Sequence, residues 1–577
     1  MEERFKKATE PRGDLTLKGL AEAFALHQSG RLDDAERAYA KVLSTDPDDA
    51  VALINAGALA LARDDVERAV ARLSRAVEIV PNNAAALNNL GFALIRARRD
   101  TDALAMLDRA IARDPNYAQA HNNRGIALLR LHDHRNAIVA FKKALALDPR
   151  LADASVNLGE AYASAGEAAA AADAFESVLA QQPAHIAARS GRAYASALAG
   201  DLDGSRAALE SIVAQHSEYA PSWQTLGAVA SWSADHERAE AAFARALELA
   251  PDNDAAQFGI ASTLLARGRY RDGFEAFEHR REGALSIETR LPLFPVWNGS
   301  QLAGTLLLYG EQGFGDVIQF ARFIADAKAR ATRIVLLLDD YWKPLAPLLA
   351  ACAGVDRVVT DLESLAGESI AARLSILSLP NVLGIEVTDL PGRIPYLITP
   401  SQYETQWQTR LSSLARPRIG LAWSVLARDV HAFVTVQKSV PPAALASLVA
   451  TPDVSFVSVQ PAAAGDPSIF GNRAARIVDL HEEIRDFGDT AAIITSLDLL
   501  ITADTAVAHV AGALGVPVWM LDRHNTCWRW RLASETTSWY PTMMIFRQRR
   551  MGDWSDVVER VRVQLAKWCT EQWRTRD

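Results

Sequence analysis

Three short stretches hold residue types and spacings suited to chemistry. The first runs from Gly310 to Asp316 and places Gly310, Gly313 and Gly315 before one carboxylate. Gly313 and Gly315 allow tight turns and close approach of a ligand. Asp316 sits where a helix begins, so a plain N-cap is one reading. A cap alone does not require three glycines before it, which favours a site carboxylate able to take a proton from an attacking hydroxyl. The spacing is not that of the dinucleotide fingerprint.

The second stretch runs from Ile501 through Asp504, Thr505 and His509 to Gly512. It reads as strand, turn, helix. A helix start offers unpaired N–H groups and a partial positive charge, suited to a phosphate. Thr505 adds a hydroxyl donor, and Asp504 orients a sugar hydroxyl or caps the helix. His509 lies four residues beyond Thr505, on the same helical face, where a structural role is the commoner one. The third stretch is Trp423-Ser424 after a strand, then a long loop to Lys438-Ser439. Lys438 is a point charge for a phosphate, or an ordinary surface lysine.

These stretches need strands and helices to position them. Thr305–Tyr309, Arg333–Leu338 and Leu374–Leu379 read as strands, with helices at Val317–Ala327 and Tyr341–Ala351. A second unit reads Arg418–Trp423, Val454–Val459, Leu499–Thr502 and Val516–Leu521 as strands. Its helices lie near Pro442–Leu448, at Asp489–Ser496 and Ala506–Leu514, and from Trp554 to about Trp573. Alternating strands and helices imply parallel sheets, with ligands at the carboxyl ends of the strands.

The first half follows a ruler of 34 residues. Pro47, Pro81, Pro115, Pro149, Pro183 and Pro251 lie on it, with Ser217 at the skipped mark. Ala35, Ala69, Ala103, Ala137, Ala171 and Ala239 form a second series, with Ser205 at the gap. Gly57, Gly91, Gly125, Gly159 and Gly227 form a third, with Ala193 at the gap; Tyr39, Leu73, Leu107, Phe141, Phe175, Leu209 and Phe243 form a fourth. Small residues let two helices approach, the large residue fills the groove between them, and the proline stops the second helix. This pattern resembles the tetratricopeptide repeat (TPR). It implies seven repeats from about residue 15, the sixth degenerate, and a shortened eighth through Gly268, Gly273 and Phe277. Asn55, Asn89, Asn123 and Asn157 share the ruler. In such a solenoid they line the concave face, either as an amide ladder for an extended acceptor peptide or as solvated residues common at that position.

The net charge of −9 argues against nucleic acid as the main partner. Three cysteines, Cys352, Cys527 and Cys569, have no metal-ligand spacing, and a reduced cytoplasmic protein is expected. No signal peptide or transmembrane run is evident, and neither a metal nor a cofactor is expected.

Residues 305–565 resemble the heptosyltransferase-like GT-B domain, of the ADP-heptose:lipopolysaccharide type, that follows TPR arrays in many bacterial proteins. The matching pieces are 313–319, 418–424, 504–515 and 552–554. Related domains usually read Trp-Ser-Gly-Asn-Pro where this chain has Trp423-Ser424-Val425. The resemblance implies an α-helical TPR solenoid followed by a GT-B fold of two Rossmann-like lobes with a closing C-terminal helix. The expected boundaries are an N-terminus at 1–14, repeats at 15–285, a linker at 286–304, an acceptor-side lobe at 305–400, an inter-lobe linker at 401–416, a nucleotide-sugar lobe at 417–550 and the closing helix at 551–577. It further implies metal-independent, inverting sugar transfer, with Asp316 as general base, Lys438 as the phosphate-binding cation and Asp504-Thr505 as the donor-binding turn. The combination is also similar to the alphaproteobacterial flagellin glycosyltransferases. These attach a nonulosonic acid such as pseudaminic acid from its CMP-activated form. A flagellin-like acceptor in the TPR groove and a CMP-linked donor are therefore the expected partners. The competing expectations are a non-catalytic adaptor and a transferase acting on lipopolysaccharide or another glycan.

Overall fold

The computed structural model describes residues 14–282, 291, 294–386, 390, 394–425, 437–460, 477–530 and 534–573. The N-terminus expected at 1–14 lies outside these residues except for Asp14, as do 426–436 of the loop before Lys438. The chain forms two compact units, the first running to Arg192 and the second from Ala193.

The first unit is built of helix pairs such as Ala50–Ala62 with Val66–Ile79, Ala84–Arg96 with Asp100–Arg113 and Ala118–Arg130 with His134–Leu147. Among the described residues, sixteen helices lie between Asp14 and Phe277. Asp49, Asp65, Asn83 and Asp133 accept backbone N–H groups at helix starts, as N-cap residues do. The small and large series of the ruler meet as expected. A Cβ added at Gly57 or Gly91 would stand 2.5 and 2.6 Å from Cγ of Leu73 and Leu107, and one at Gly125 would stand 2.5 Å from Phe141. Ala35, Ala69, Ala103, Ala137 and Ala171 are fully buried.

The helix-to-helix turns carry a further regularity. Gly30, Asp64, Arg98, His132, Gly166, Gly200, Ala234 and Gly268 all have φ between 59° and 104°, and they too fall on the ruler. Four are glycine, which adopts this conformation without strain. The other four hold it against the side-chain clash that left-handed backbone imposes.

The second unit begins with the remaining repeats. Its irregular repeat is internally matched: Ser205, where the series has alanine, donates to the carbonyl of Ala193, where the series has glycine, at 2.6 Å. The eighth pair is short, Asp254–Ala266 followed by Tyr270–Phe277.

Next comes a parallel four-stranded sheet in the order β3-β2-β1-β4, from β1 (Leu302–Tyr309), β2 (Ala331–Leu337), β3 (Arg357–Val359) and β4 (Ile370–Ser375). Helix α1 (Phe314–Phe320) follows β1. A seven-stranded sheet follows, in the order β10-β11-β9-β8-β5-β6-β7. It comprises β5 (Arg418–Ala422), β6 (Ser455–Ser458), β7 (Ile477–Asp479), β8 (Leu499–Ala503), β9 (Val518–Asp522), β10 (Thr536–Thr537) and β11 (Tyr540–Arg547). Its pairings are parallel except β10 with β11. Helix α2 (Ser401–Leu411) precedes it; α3 (Phe487–Thr495), α4 (Ala506–Leu514) and α5 (Trp554–Trp568) cover it. One apolar core joins α1, α3 and α4 to both sheets, and a second lies between the larger sheet and α5.

Several expectations are corrected. The inter-lobe linker at 401–416 is mostly helix α2, because Tyr403, Trp407 and Leu411 form a buried stripe at helical spacing. Trp407 Nε1 donates to Asp489 of α3 at 2.8 Å. The described part of the 286–304 linker pairs with the sheet: Trp297 N–H donates to Arg373 O at 2.9 Å. The helix expected at Tyr341–Ala351 is a 3-10 turn containing Pro344 and a single turn at Ala346–Leu349. The strand expected at Leu374–Leu379 ends at Ser375, whose side chain accepts the N–H of Leu377 and opens a 3-10 turn.

Candidate functional site

Two strand-to-helix corners of the second unit form the candidate site. At the first, β1 ends at Tyr309 and the chain turns through Gln312, whose φ is 59°, into α1. The Asp316 carboxylate folds back, and its Oδ2 accepts the Gly313 N–H at 2.9 Å. Its Oδ1 accepts Nη2 of Arg529. Both oxygens of the candidate base are therefore engaged.

At the second corner, β8 leads into α4. Asp504 is buried and its Oδ2 lies 2.6 Å from Nζ of Lys438. Burial opposes ionisation of Asp504, but Lys438 outweighs it and holds the carboxyl well below the usual carboxylate range. Thr505 stands at the N-cap of α4 without a side-chain cap bond; its Oγ1 lies 3.3 Å from Oγ1 of Thr502. The first turn of α4 thus receives no side-chain cap from Thr505, and a helix N-terminus attracts an anion.

His509 ties the two corners together. Its ring is buried, Nδ1 lies 2.9 Å from the Tyr540 hydroxyl, and Trp530 packs against it at 5.4 Å between centroids. A Cβ at Gly315 would stand 2.7 Å from His509 Cδ2, so that glycine permits the close approach of α1 to α4. Burial first, then the positive charge of Arg529, push the imidazole down to about 3, against the pull of Asp504 and Asp316. His509 is neutral at ordinary pH, consistent with a packing role.

Ser424 joins through its backbone. Buried Gln460 accepts the N–H groups of Trp423 and Ser424, each at 2.9 Å, and returns Nε2 to Ser424 O at 2.9 Å. Ser439, the neighbour of Lys438, reaches Ser424 Oγ at 3.5 Å and accepts the Val425 N–H at 3.2 Å.

Arg529 was not anticipated from the sequence. Besides Asp316 it donates Nε to Gln319 and Nη1 to Cys527 Sγ at 3.2 Å, and its guanidinium lies 4.4 Å over the Trp528 ring. An arginine between two tryptophans, Trp528 and Trp530, was the available signal, since planar guanidinium stacks on aromatic faces. Among the described residues no group of three or more His, Cys, Asp or Glu side chains is placed to hold a metal, and no helix is long and apolar enough to cross a membrane.

The repeat asparagines belong to the first unit. Asn123 Nδ2 donates to Asn88 at 2.9 Å and Asn157 Nδ2 to Asn122 at 3.0 Å, so these two stitch one repeat to the preceding one. Asn123 is 2 % exposed, which withdraws it from an open ladder. Asn55 Nδ2 bonds Val51 O of its own helix at 2.9 Å, and Asn89 accepts from Asn88 at 3.2 Å.

Tetratricopeptide repeat models match residues 26–82, 60–123 and 162–229, residues 118–151, and residues 233–280. The N-terminal half is a TPR solenoid. Protein FlbA of Caulobacter vibrioides is 27 % identical over 338 residues, covering 54 % of this chain and 54 % of FlbA. The chain thus spans about half the length of this curated relative. A tetratricopeptide repeat protein from Parabacteroides merdae is 18 % identical, with 44 % of this chain and 100 % of that chain covered and a TM-score of 0.38. YrrB, described as a TPR protein with an unusual peptide-binding site, is 26 % identical, with 32 % of this chain and 95 % of that chain covered and a TM-score of 0.27.

Proposed function

We propose that this chain is a protein O-glycosyltransferase of GT-B architecture. It transfers a nonulosonic acid, such as pseudaminic acid from its CMP-activated form, to Ser or Thr of a flagellin-like acceptor held by the TPR solenoid in the cytoplasm. The observation that supports this reading is the contact of Gly315 with His509, which brings the Asp316 corner against the Asp504–Lys438 corner. On this reading the carboxylate taken as the base and the Lys438–Asp504 pair taken as the phosphate site lie on adjoining corners of one unit.

The acceptor hydroxyl attacks the anomeric carbon of the donor as the bond from that carbon to the phosphate oxygen breaks. Asp316 takes the hydroxyl proton, an effect worth roughly 10²–10⁴-fold in such reactions. The departing phosphate is stabilised by Lys438, Thr505 and the first turn of α4. In the resting chain Arg529 occupies one oxygen of Asp316. An anionic donor competes for that guanidinium and frees the base as the donor seats.

Calorimetry with CMP, UDP, GDP and ADP, followed by intact-mass analysis of co-expressed flagellin, tests the proposal. A CMP-selective heat and a flagellin mass shift that depends on this chain are expected. Absence of binding to all four nucleotides would leave an adaptor. Nucleotide binding without a flagellin shift would direct attention to a glycan acceptor.

A further inference from the structure

Arg280 follows the last helix of the repeat array, yet its side chain is only 4 % exposed. Its Nε lies 3.1 Å from Oε1 of Glu311, the second residue of the glycine loop, and its Nη2 donates to Oε2 at 3.2 Å. The same Nη2 donates to Ser378 Oγ at 2.7 Å, and Nη1 donates to Glu278 at 2.9 Å. Ser375 Oγ donates to Glu311 Oε2 at 2.5 Å, and Ser378 Oγ to Glu278 Oε2 at 2.8 Å. Phe277 lies under the guanidinium at 4.6 Å.

Fork-shaped pairing of this kind fixes geometry as well as charge. The loop leading to Asp316 is held in four places, one of them the Gln312 carbonyl, which accepts Trp342 Nε1 at 3.2 Å. Gly310 N–H donates to Leu337 O at 3.1 Å, Glu311 is held by Arg280, and Gly313 N–H is held by Asp316 itself. The same hairpin also touches the loop after β9: Tyr270 and Phe274 lie 6.5 and 6.1 Å from the ring of Trp528, the neighbour of Arg529. A groove of about 180 Å³ lined by Phe258, Phe277, His279 and Arg280 opens on this repeat.

We propose that Arg280 and Glu311 are positioning residues through which the last tetratricopeptide repeat sets the glycine loop and, with it, the Asp316 carboxylate. The repeat array is then part of the frame of the site as well as a tether for an acceptor. The inference rests on the reading of Asp316 as the general base.

The test compares full-length Arg280→Gln, Glu311→Gln, the double variant and Arg280→Lys with the unaltered chain. Amide hydrogen exchange at Gly313–Val317 is read alongside kcat and KM for a CMP-activated nonulosonic acid with flagellin. Either single variant is expected to speed exchange at Gly313 and to lower kcat at least tenfold, with donor KM within twofold. The double variant should be no worse than either single one, since both remove one interaction, and Arg280→Lys should recover part of kcat. Arg269→Gln breaks the surface pairs with Asp272 of the same hairpin and Glu240 of the preceding repeat and should leave both readouts unchanged. Unchanged exchange in both single variants would overturn the inference, as would a kcat loss no greater than the loss of folded protein. If the unaltered chain transfers nothing, the transferase reading fails, while the exchange measurement still decides whether the repeat sets the loop.

Discussion

Asp316 and Arg529 are 213 residues apart in sequence, and the guanidinium of one donates to the carboxylate of the other. The pair joins the corner after β1 to the loop after β9. It also shields the group assigned to proton removal.

Removing one member of a half-buried ion pair leaves the other without its partner, and the cost is about 3 kcal/mol. Arg529→Gln should therefore lower stability by roughly that amount in urea titration. Asp316→Asn should abolish transfer while CMP binding persists. A double-mutant cycle should show coupling of about 1–3 kcal/mol. Additive losses would mean that the pair makes no net contribution.

Gly315→Ala places a methyl group against the His509 ring, which Trp530 and Tyr540 hold from other sides. Overfilling such a contact costs about 1–3 kcal/mol. The variant should fold with a lower Tm and lose transfer out of proportion to its stability, because the two corners are pushed apart. Unaltered kcat would show that their spacing is not critical.

His509 makes a prediction about acid stability. Its folded value of about 3 lies below the ordinary 6.5, so between these values the unfolded chain binds the extra proton. The contribution of neutral His509 is complete above pH 6.5 and is lost as pH falls toward 3. Urea stability of His509→Gln should fall less steeply over that window than that of the unaltered chain. Parallel curves would place the acid sensitivity elsewhere.

Ala234 holds φ of 63° in a turn where four other repeats use glycine. Relief of that strain is worth about 1–2 kcal/mol, less the extra freedom glycine gains on unfolding. Ala234→Gly should raise stability by roughly 0.5–1 kcal/mol, read as a higher urea midpoint. A lower midpoint would show that the methyl packs more than it strains.

The repeat architecture was legible because each unit depends on near neighbours in sequence: Gly125 meets Phe141 and Gly57 meets Leu73 within one hairpin. The two corners were legible for a related reason, as each is a local strand-to-helix turn. Their partners were less so. Lys438 and Asp504 were both singled out, but their 2.6 Å contact follows from sheet order. Arg529 gains its role only when β9 and β1 are placed in space. Helix α2 did leave a trace, since Tyr403, Trp407 and Leu411 repeat at intervals of four, a helical spacing within the stretch expected as a linker. The broken helix near Pro344 shows the converse, a local breaker underweighted against an apolar run.

The asparagine stitches join positions 35 residues apart, Asn88 with Asn123 and Asn122 with Asn157. Excising or inserting one complete unit would bring equivalent amides back opposite each other, whereas a cut of any other length would leave a buried amide facing the wrong helix. Gene duplication could therefore change the length of this array in whole steps without redesigning its seams.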